Sequence, residues 1–218
     1  MADLTPRPAD CAARAPMTKP AISFWFEFAS TYSYLSAMRI ETLARERGVA
    51  IDWRPFLLGP IFAELGWSTS PFNLQPAKGA YMWRDMERQC ERLSLPFSCP
   101  EPFPQNGIKA ARIAWCLRES EWIGAFVRAV YAAEFGQRQD ISDAAFLACV
   151  LVDIGAPARE IMERIETGEV KAALRSEVEE ASRLGIFGAP SFVTPDGELF
   201  WGNDRLEEAL EWALRRAG

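Results

Sequence analysis

Ser30 stands where an aromatic run of strand character, Ile22 to Phe28 (I-S-F-W-F-E-F), hands over to Ser30 to Arg47, whose Leu35, Met38 and Leu43 share a helical face. A hydroxyl at such a junction has two uses. It caps the helix, or it joins the first free N–H groups and the partial positive charge of the helix start in holding an anion, a thiolate included. Near the other end of the chain, Phe187-Gly188-Ala189-Pro190-Ser191-Phe192 places a proline directly before a strand. Either it is an ordinary edge proline, or its bond is cis and turns the Ala189 N–H and C=O toward an added extended peptide. Trp201-Gly202-Asn203-Asp204-Arg205 supplies two capping residues at one helix start. Capping uses one of them, so the other is free to hold a ligand ammonium group, unless Arg205 neutralises Asp204.

The chain has no His, which excludes Ser-His-Asp and Cys-His nucleophiles, His-ligated metals and an imidazole base. Any chemistry therefore needs another activator. Cysteines at 11, 90, 99, 116 and 149 form no C-x-x-C, so neither a redox dithiol nor a zinc ribbon is legible, and they read as idle thiols in a reducing cytoplasm. Over 218 residues, 24 Lys and Arg against 30 Asp and Glu leave a formal charge of −6 without a basic block, which argues against a nucleic-acid partner. No run approaches the roughly 18 apolar residues of a membrane span. Hydrophobic residues at 49%, with 8 Trp and 14 Phe, are ample for a packed core.

The elements needed to position these residues follow from spacing. Met1 to Pro20, with four prolines and no periodicity, reads as a disordered tail, and residues 21–218 as one domain. Strand, helix and the alternating Val49 to Phe56 make a β-α-β unit with parallel strands and a right-handed crossover. Helical spacing then dominates an insertion of about residues 60–185: Lys78 to Leu93, Arg112 to Leu117, Trp122 to Phe135, Asp143 to Asp153, Ala158 to Glu166 and Glu169 to Leu184. Ser191 to Thr194, a Thr194-Pro195-Asp196-Gly197 turn and Glu198 to Trp201 form a hairpin. A last helix follows Gly202, capped by Asn203 or Asp204, with Leu206, Leu210 and Leu214 inward. The predicted fold is α/β: a mixed four-stranded sheet, βαβ…ββα, carrying a large helical insertion. That topology gathers Ser30, Ala189-Pro190 and Asn203-Asp204 at one end of the sheet, where ligands tend to bind.

Five motifs in order, F-E-F-A-S-T-Y-S-Y-L, R-P-F-L-L-G, Y-M-W-R-D-M-E-R, F-G-A-P-S-F and W-G-N-D-R-L, carry a family resemblance from about Ile22 to the C-terminus. The chain resembles the thioredoxin-like group of 2-hydroxychromene-2-carboxylate isomerases and kappa-class glutathione transferases, distant relatives of DsbA-type oxidoreductases. The resemblance implies a thioredoxin-like fold, a homodimer and bound glutathione. Ser30 matches the family's catalytic serine, at the place where redox relatives carry their attacking cysteine. Pro190 matches the cis-proline, so Ala189 would pair with the glutathione cysteine, and Asn203 and Asp204 match residues that hold the γ-glutamyl end. Two positions depart from the pattern. Thr31 replaces the proline that usually follows the serine, and the Gly66 to Asn73 segment lacks the asparagine where a glutathione contact is sought first, leaving Asn73 as its substitute.

The activity implied is a glutathione-dependent isomerisation of an aromatic hydroxy-acid or its chromene hemiketal, with Lys78, Asn106, Lys109 and Arg112 as candidates for the anionic small-molecule substrate or for a glutathione carboxylate. A kappa-like transferase would use the same apparatus. A noncatalytic thioredoxin-like module that docks an extended peptide is the reading from a different class.

Overall fold

The computed structural model describes residues 20–217. The tail read from sequence lies outside the described residues except for Pro20, whose carbonyl accepts from the Ala50 N–H at 2.7 Å. β1 (Ala21–Phe26) is apolar on both faces, as a central strand must be. Phe24 and Phe26 enter the larger core, while Trp25 enters a smaller cluster with Phe56, Leu58, Ile186 and Val193. β2 (Ala50–Pro55) lies parallel to β1, pairing Ala21 with Ala50 and Phe26 with Pro55. β3 (Ser191–Val193) is antiparallel on the other side of β1, and β4 (Leu199–Trp201) antiparallel to β3. The order β2-β1-β3-β4 is the mixed sheet expected from the sequence.

Two helices, not one, join β1 to β2. α1 (Thr31–Ala37) and α2 (Ile40–Arg47) divide at Met38 and Arg39, where the Arg39 N–H tightens onto the Ser36 carbonyl at 3.1 Å. The Arg39 guanidinium is drawn away to Glu207, at 2.9 Å, and to the Asn203 carbonyl, at 3.3 Å. Gly48 closes α2 in the left-handed region at φ 67°, as its C-cap role requires. Between β2 and β3 run α3 (Leu58–Glu64), α4 (Pro71–Leu74), α5 (Pro76–Leu93), α6 (Ile108–Leu117), α7 (Ile123–Tyr131), α8 (Ala144–Asp153), α9 (Ala158–Arg164) and α10 (Gly168–Arg183). The helix expected over Trp122 to Phe135 ends in a π-helical turn, Ala132–Gly136, whose wider winding turns Glu134 and Phe135 into the interior.

The final segment also differs from expectation. Neither Asn203 nor Asp204 caps a helix directly. A 3-10 turn, Asn203–Arg205, follows Gly202, and only then does α11 (Leu206–Ala217) begin. Gly202 at φ 113° occupies backbone space that favours glycine, and it brings the chain back over the sheet. Leu206 and Leu210 are buried but Leu214 is exposed, because eight steps at about 3.6 residues per turn overshoot the inward face. Ala209 and Ala213 complete the buried stripe instead.

A buried ion cluster ties the insertion to the sheet. Glu177 of α10, only 8% exposed, meets Arg54 of β2 at 2.8 Å and Arg118, just past α6, at 3.2 Å, while Arg54 stacks on Trp25. Truncating the shared carboxylate would leave Arg54 and Arg118 with only the more exposed Asp52 and Glu119, each at 3.5 Å, as counter-charges. Glu177→Ala should therefore lower stability by about 3 kcal/mol in urea titration. A loss below about 1 kcal/mol would mean that solvent already screens the cluster.

Candidate active site

Four hydrogen bonds assemble the end of the sheet. The Ser30 hydroxyl accepts from the Ser33 N–H at 3.3 Å, as an N-cap does, and donates to the Ala189 carbonyl at 2.8 Å. The Gly202 N–H donates to the Pro190 carbonyl at 2.9 Å. Ser36, on the inward side of α1, donates to the Asn203 side-chain oxygen at 3.0 Å. Ser30, Ala189-Pro190 and Asn203-Asp204 thus converge, and the Ala189-Pro190 bond is cis. Capping and a possible ligand role are not exclusive for Ser30, since a hydroxyl both accepts and donates.

The residues differ in what remains free. Asn203 is buried with its oxygen committed to Ser36, so its amide N–H groups are what it can offer. Asp204 is three-quarters exposed, with Arg205 at 3.7 Å, and its carboxylate stands open at the start of the 3-10 turn. Among the described residues the Ala189 N–H has no acceptor. The division of the first helix changes one expectation, because α1 is too short to bring the full dipole of a helix reaching Arg47. Polarity at Ser30 comes from its hydroxyl and from the N–H groups of the first turn, which an α-helix leaves unpaired.

The other candidates lie elsewhere and are mostly engaged. Asn73 donates to the Thr69 hydroxyl and, at 3.1 Å, to the Phe103 carbonyl, pinning one loop to another. Lys78 sits over the Phe72 ring at 5.6 Å. Asn106 accepts from the Ile108 N–H at the start of α6, and Lys109 donates to the Ser142 carbonyl at 3.1 Å. Those bonds leave the Asn106 amide N–H groups and two Lys109 donors free. Arg112 alone of this group lines a groove of about 450 Å³ between α3, α6 and α10. Leu57, Pro60 and Ile108 provide its apolar wall, and Arg112, Lys171 and Arg175 its cations, with Glu64 and Glu179 also lining it. Gly107, beside Ile108, lies so close to the segment leading to Ser30 that an added Cβ would stand 3.2 Å from the Phe28 Cβ.

Two features escaped sequence reasoning. Phe187 and Trp201, each about half exposed, pack 4.8 Å apart on either side of Gly188-Ala189-Pro190. Gly188 has to be glycine for this, because the Trp201 indole nitrogen would be 2.4 Å from any Cβ there. The second is a pair of acids behind Ser30. The Glu27 carbonyl accepts from the Ser30 N–H at 3.0 Å and from the Tyr131 hydroxyl at 2.7 Å. Burial pushes the Glu27 carboxyl up to about 7, only partly opposed by a hydrogen bond from the Leu58 N–H. Glu134, in the π-helical turn, is fully buried with both carboxylate oxygens unpartnered, and burial, then the nearby Glu27, holds it well above the usual carboxylate range. A charged residue closing an otherwise aromatic strand was the one sequence signal for Glu27.

The profile of the DSBA-like thioredoxin domain matches residues 21–213, and the chain belongs to this family. Within it, the chain is 31% identical over 192 residues to the 2-hydroxychromene-2-carboxylate isomerase of Sphingobium xenophagum, covering 88% of this chain and 96% of that one. It is 27% identical to the human glutathione S-transferase kappa 1, over 85% and 87% of the two chains. A solved 2-hydroxychromene-2-carboxylate isomerase superposes with a TM-score of 0.79 at 23% identity, over 90% of this chain and 95% of the other, which shows the shared fold.

The raised Glu27 carboxyl has a thermodynamic signature. It binds its proton in the folded state up to about pH 7 but releases it near 4.5 once unfolded, so the contribution is complete below about pH 4.5 and disappears as pH rises through 7. Unfolding free energy measured across that window should fall by about 3 kcal/mol more in the native chain than in Glu27→Gln. Parallel curves would show that Glu27 is solvated.

Proposed function

We propose that the protein is a glutathione-dependent isomerase of the 2-hydroxychromene-2-carboxylate type. The observation that carries this reading is the Ser30 hydroxyl bonded to Ala189 beside a cis-proline, an arrangement suited to receive a thiol. Membership of the family and the 31% identity to a named isomerase support it. Glutathione bound there would supply a nucleophilic thiol able to add reversibly to a conjugated carbon of an aromatic hydroxy-acid.

The residues fit such a guest. Ala189, with its N–H free and its carbonyl answered only by a rotatable hydroxyl, can take an extended cysteine backbone as an added strand would. Ser30 then turns its proton from Ala189 to the sulfur and stabilises the anion without becoming covalently attached. Asp204, with the Asn203 amide behind it, suits an α-ammonium and carboxylate pair. The groove beside Ile108 would receive the aromatic substrate, with Arg112 and Arg175 toward its carboxylate. Asn73 and Lys78 remain candidates for the far end of glutathione. Lys109 and Asn106 keep donors beyond their bonds to Ser142 and Ile108 and remain candidates for a carboxylate. A homodimer in the cytoplasm completes the proposal. Identity to the human kappa 1 transferase favours one second reading, a transferase that releases the conjugate.

Calorimetric titration with glutathione tests the first step, and product analysis with a chromene-carboxylate against a chlorinated arene separates isomer from conjugate. Ser30→Ala should still bind glutathione but raise its thiol pKa by about one to two units, the worth of a hydrogen bond to a charged acceptor, in a thiolate absorbance titration. An unchanged titration would remove Ser30 from the mechanism.

A further inference from the structure

The groove between α3, α6 and α10 already has a carboxylate against its cations, supplied by the chain itself. Resting on the placement of an aromatic carboxylate in this groove, we propose that Glu166 is the internal carboxylate that such a guest displaces. Glu166 then sets how strongly the groove prefers an acid to its neutral counterpart.

One oxygen of Glu166, Oε2, lies 2.9 Å from the Lys171 ammonium and 3.7 Å from the Arg112 guanidinium, and both cations line the groove. Glu166 itself stands outside the lining, in the turn between α9 and α10. Its side chain is 57% exposed, so it can leave for water at the small cost of an exposed ion pair. The cations stay behind when it does. Arg112 also donates to the Ile165 carbonyl at 3.5 Å, and Lys171 belongs to the start of α10, which the Thr167 hydroxyl caps.

Donors outnumber acceptors at this end of the groove. Arg112 and Lys171 share a single oxygen, and the buried Arg112 Nε–H has no acceptor among the described residues. Arg175, one turn beyond Lys171, also lines the groove and makes no ion pair among the described residues. A guest carboxylate brings two oxygens, enough to serve Arg112 and Lys171 separately. Lys171 first, then Arg112 and Lys109, hold the Glu166 carboxyl below the usual carboxylate range, so these cations favour an ionised acid beside them. The far end of the groove is different. Glu179 lies about 12 Å along α10 from Lys171, and Glu64 accepts from the Ser182 hydroxyl at 3.3 Å beyond it. Acids there repel a second anion, so the guest is an apolar body with one carboxylate.

Equilibrium dialysis of 2-naphthoate and its neutral amide against the native chain, Glu166→Gln and Arg112→Met tests this without glutathione. Gln keeps the size of the side chain and an oxygen for Lys171 but removes the charge. Glu166→Gln should bind naphthoate about three- to fivefold tighter, the worth of an exposed ion pair that no longer has to break, and bind the amide as the native chain does. Arg112→Met should weaken naphthoate binding about tenfold or more, the worth of a hydrogen bond to a charged group. Naphthoate bound no tighter by Glu166→Gln, with Arg112→Met still damaging, overturns the proposal and leaves the groove as the seat of the acid. An equal gain for acid and amide overturns it too, since shape and not charge is then the cause. Naphthoate binding that is absent throughout, or that Arg112→Met leaves unchanged, overturns it together with the placement of the substrate carboxylate on which it rests.

Discussion

A hydroxyl at the end of β1 can serve an incoming sulfur only if the loop before β3, 159 residues away, is delivered to within hydrogen-bond distance, and the Ser30 to Ala189 contact at 2.8 Å is where that delivery is achieved. The sheet makes it possible. Because β1 and β3 are antiparallel neighbours, the end of one strand lies beside the start of the other. The Pro190 carbonyl then ties Gly202 to the same corner, and Ser36 reaches Asn203 from below. The Ser30 and Ser36 bonds join elements distant in sequence, so the site depends on the packing of α1 against the end of the sheet.

That packing also explains the unusual acids. Phe24, Phe26 and Phe28 fill the main core, and Tyr131 and Phe135 stack across from them, leaving little room for water at the strand end. A carboxyl placed there loses solvation without receiving a counter-charge, and its neutral form is favoured. Such groups weaken the folded state at neutral pH, and natural proteins retain them where function uses their protonation. In a molecule without imidazole, burial brings the Glu27 carboxyl up to about 7.

Much of the fold was legible in the sequence. Short aromatic runs, a Pro-Asp-Gly turn and helical spacing in between lead to a mixed four-stranded sheet with one parallel pair and a hairpin, since parallel strands need a crossover and a hairpin needs a turn, while the order of the strands came from the structure. What misled was local. Helical spacing from Leu35 to Leu43 continues through Met38 and Arg39, and nothing there announces that Arg39 will leave for Glu207. Regular leucines at 206, 210 and 214 suggest one buried face, but helix geometry turns the last outward. At the site, Ser30, Ala189 and Asn203 are joined by bonds that no sequence pattern displays, while Lys109 gives one of its three donors to the Ser142 carbonyl and Asn106 its oxygen to the Ile108 N–H.

Sequence by itself determined the class of chemistry, because composition is absolute: without His and without paired cysteines, an anion in this chain must be held by hydroxyls, N–H groups and cations. It also determined the order of elements, since periodicity is a local property of the chain. Tertiary structure alone decided which of Asn203 and Asp204 is open, which cations line a groove, and that burial raises the Glu27 carboxyl. Those are matters of burial and of distance between residues far apart in the chain, and a carboxyl written identically in the sequence titrates near 4.5 or near 7 according to what surrounds it.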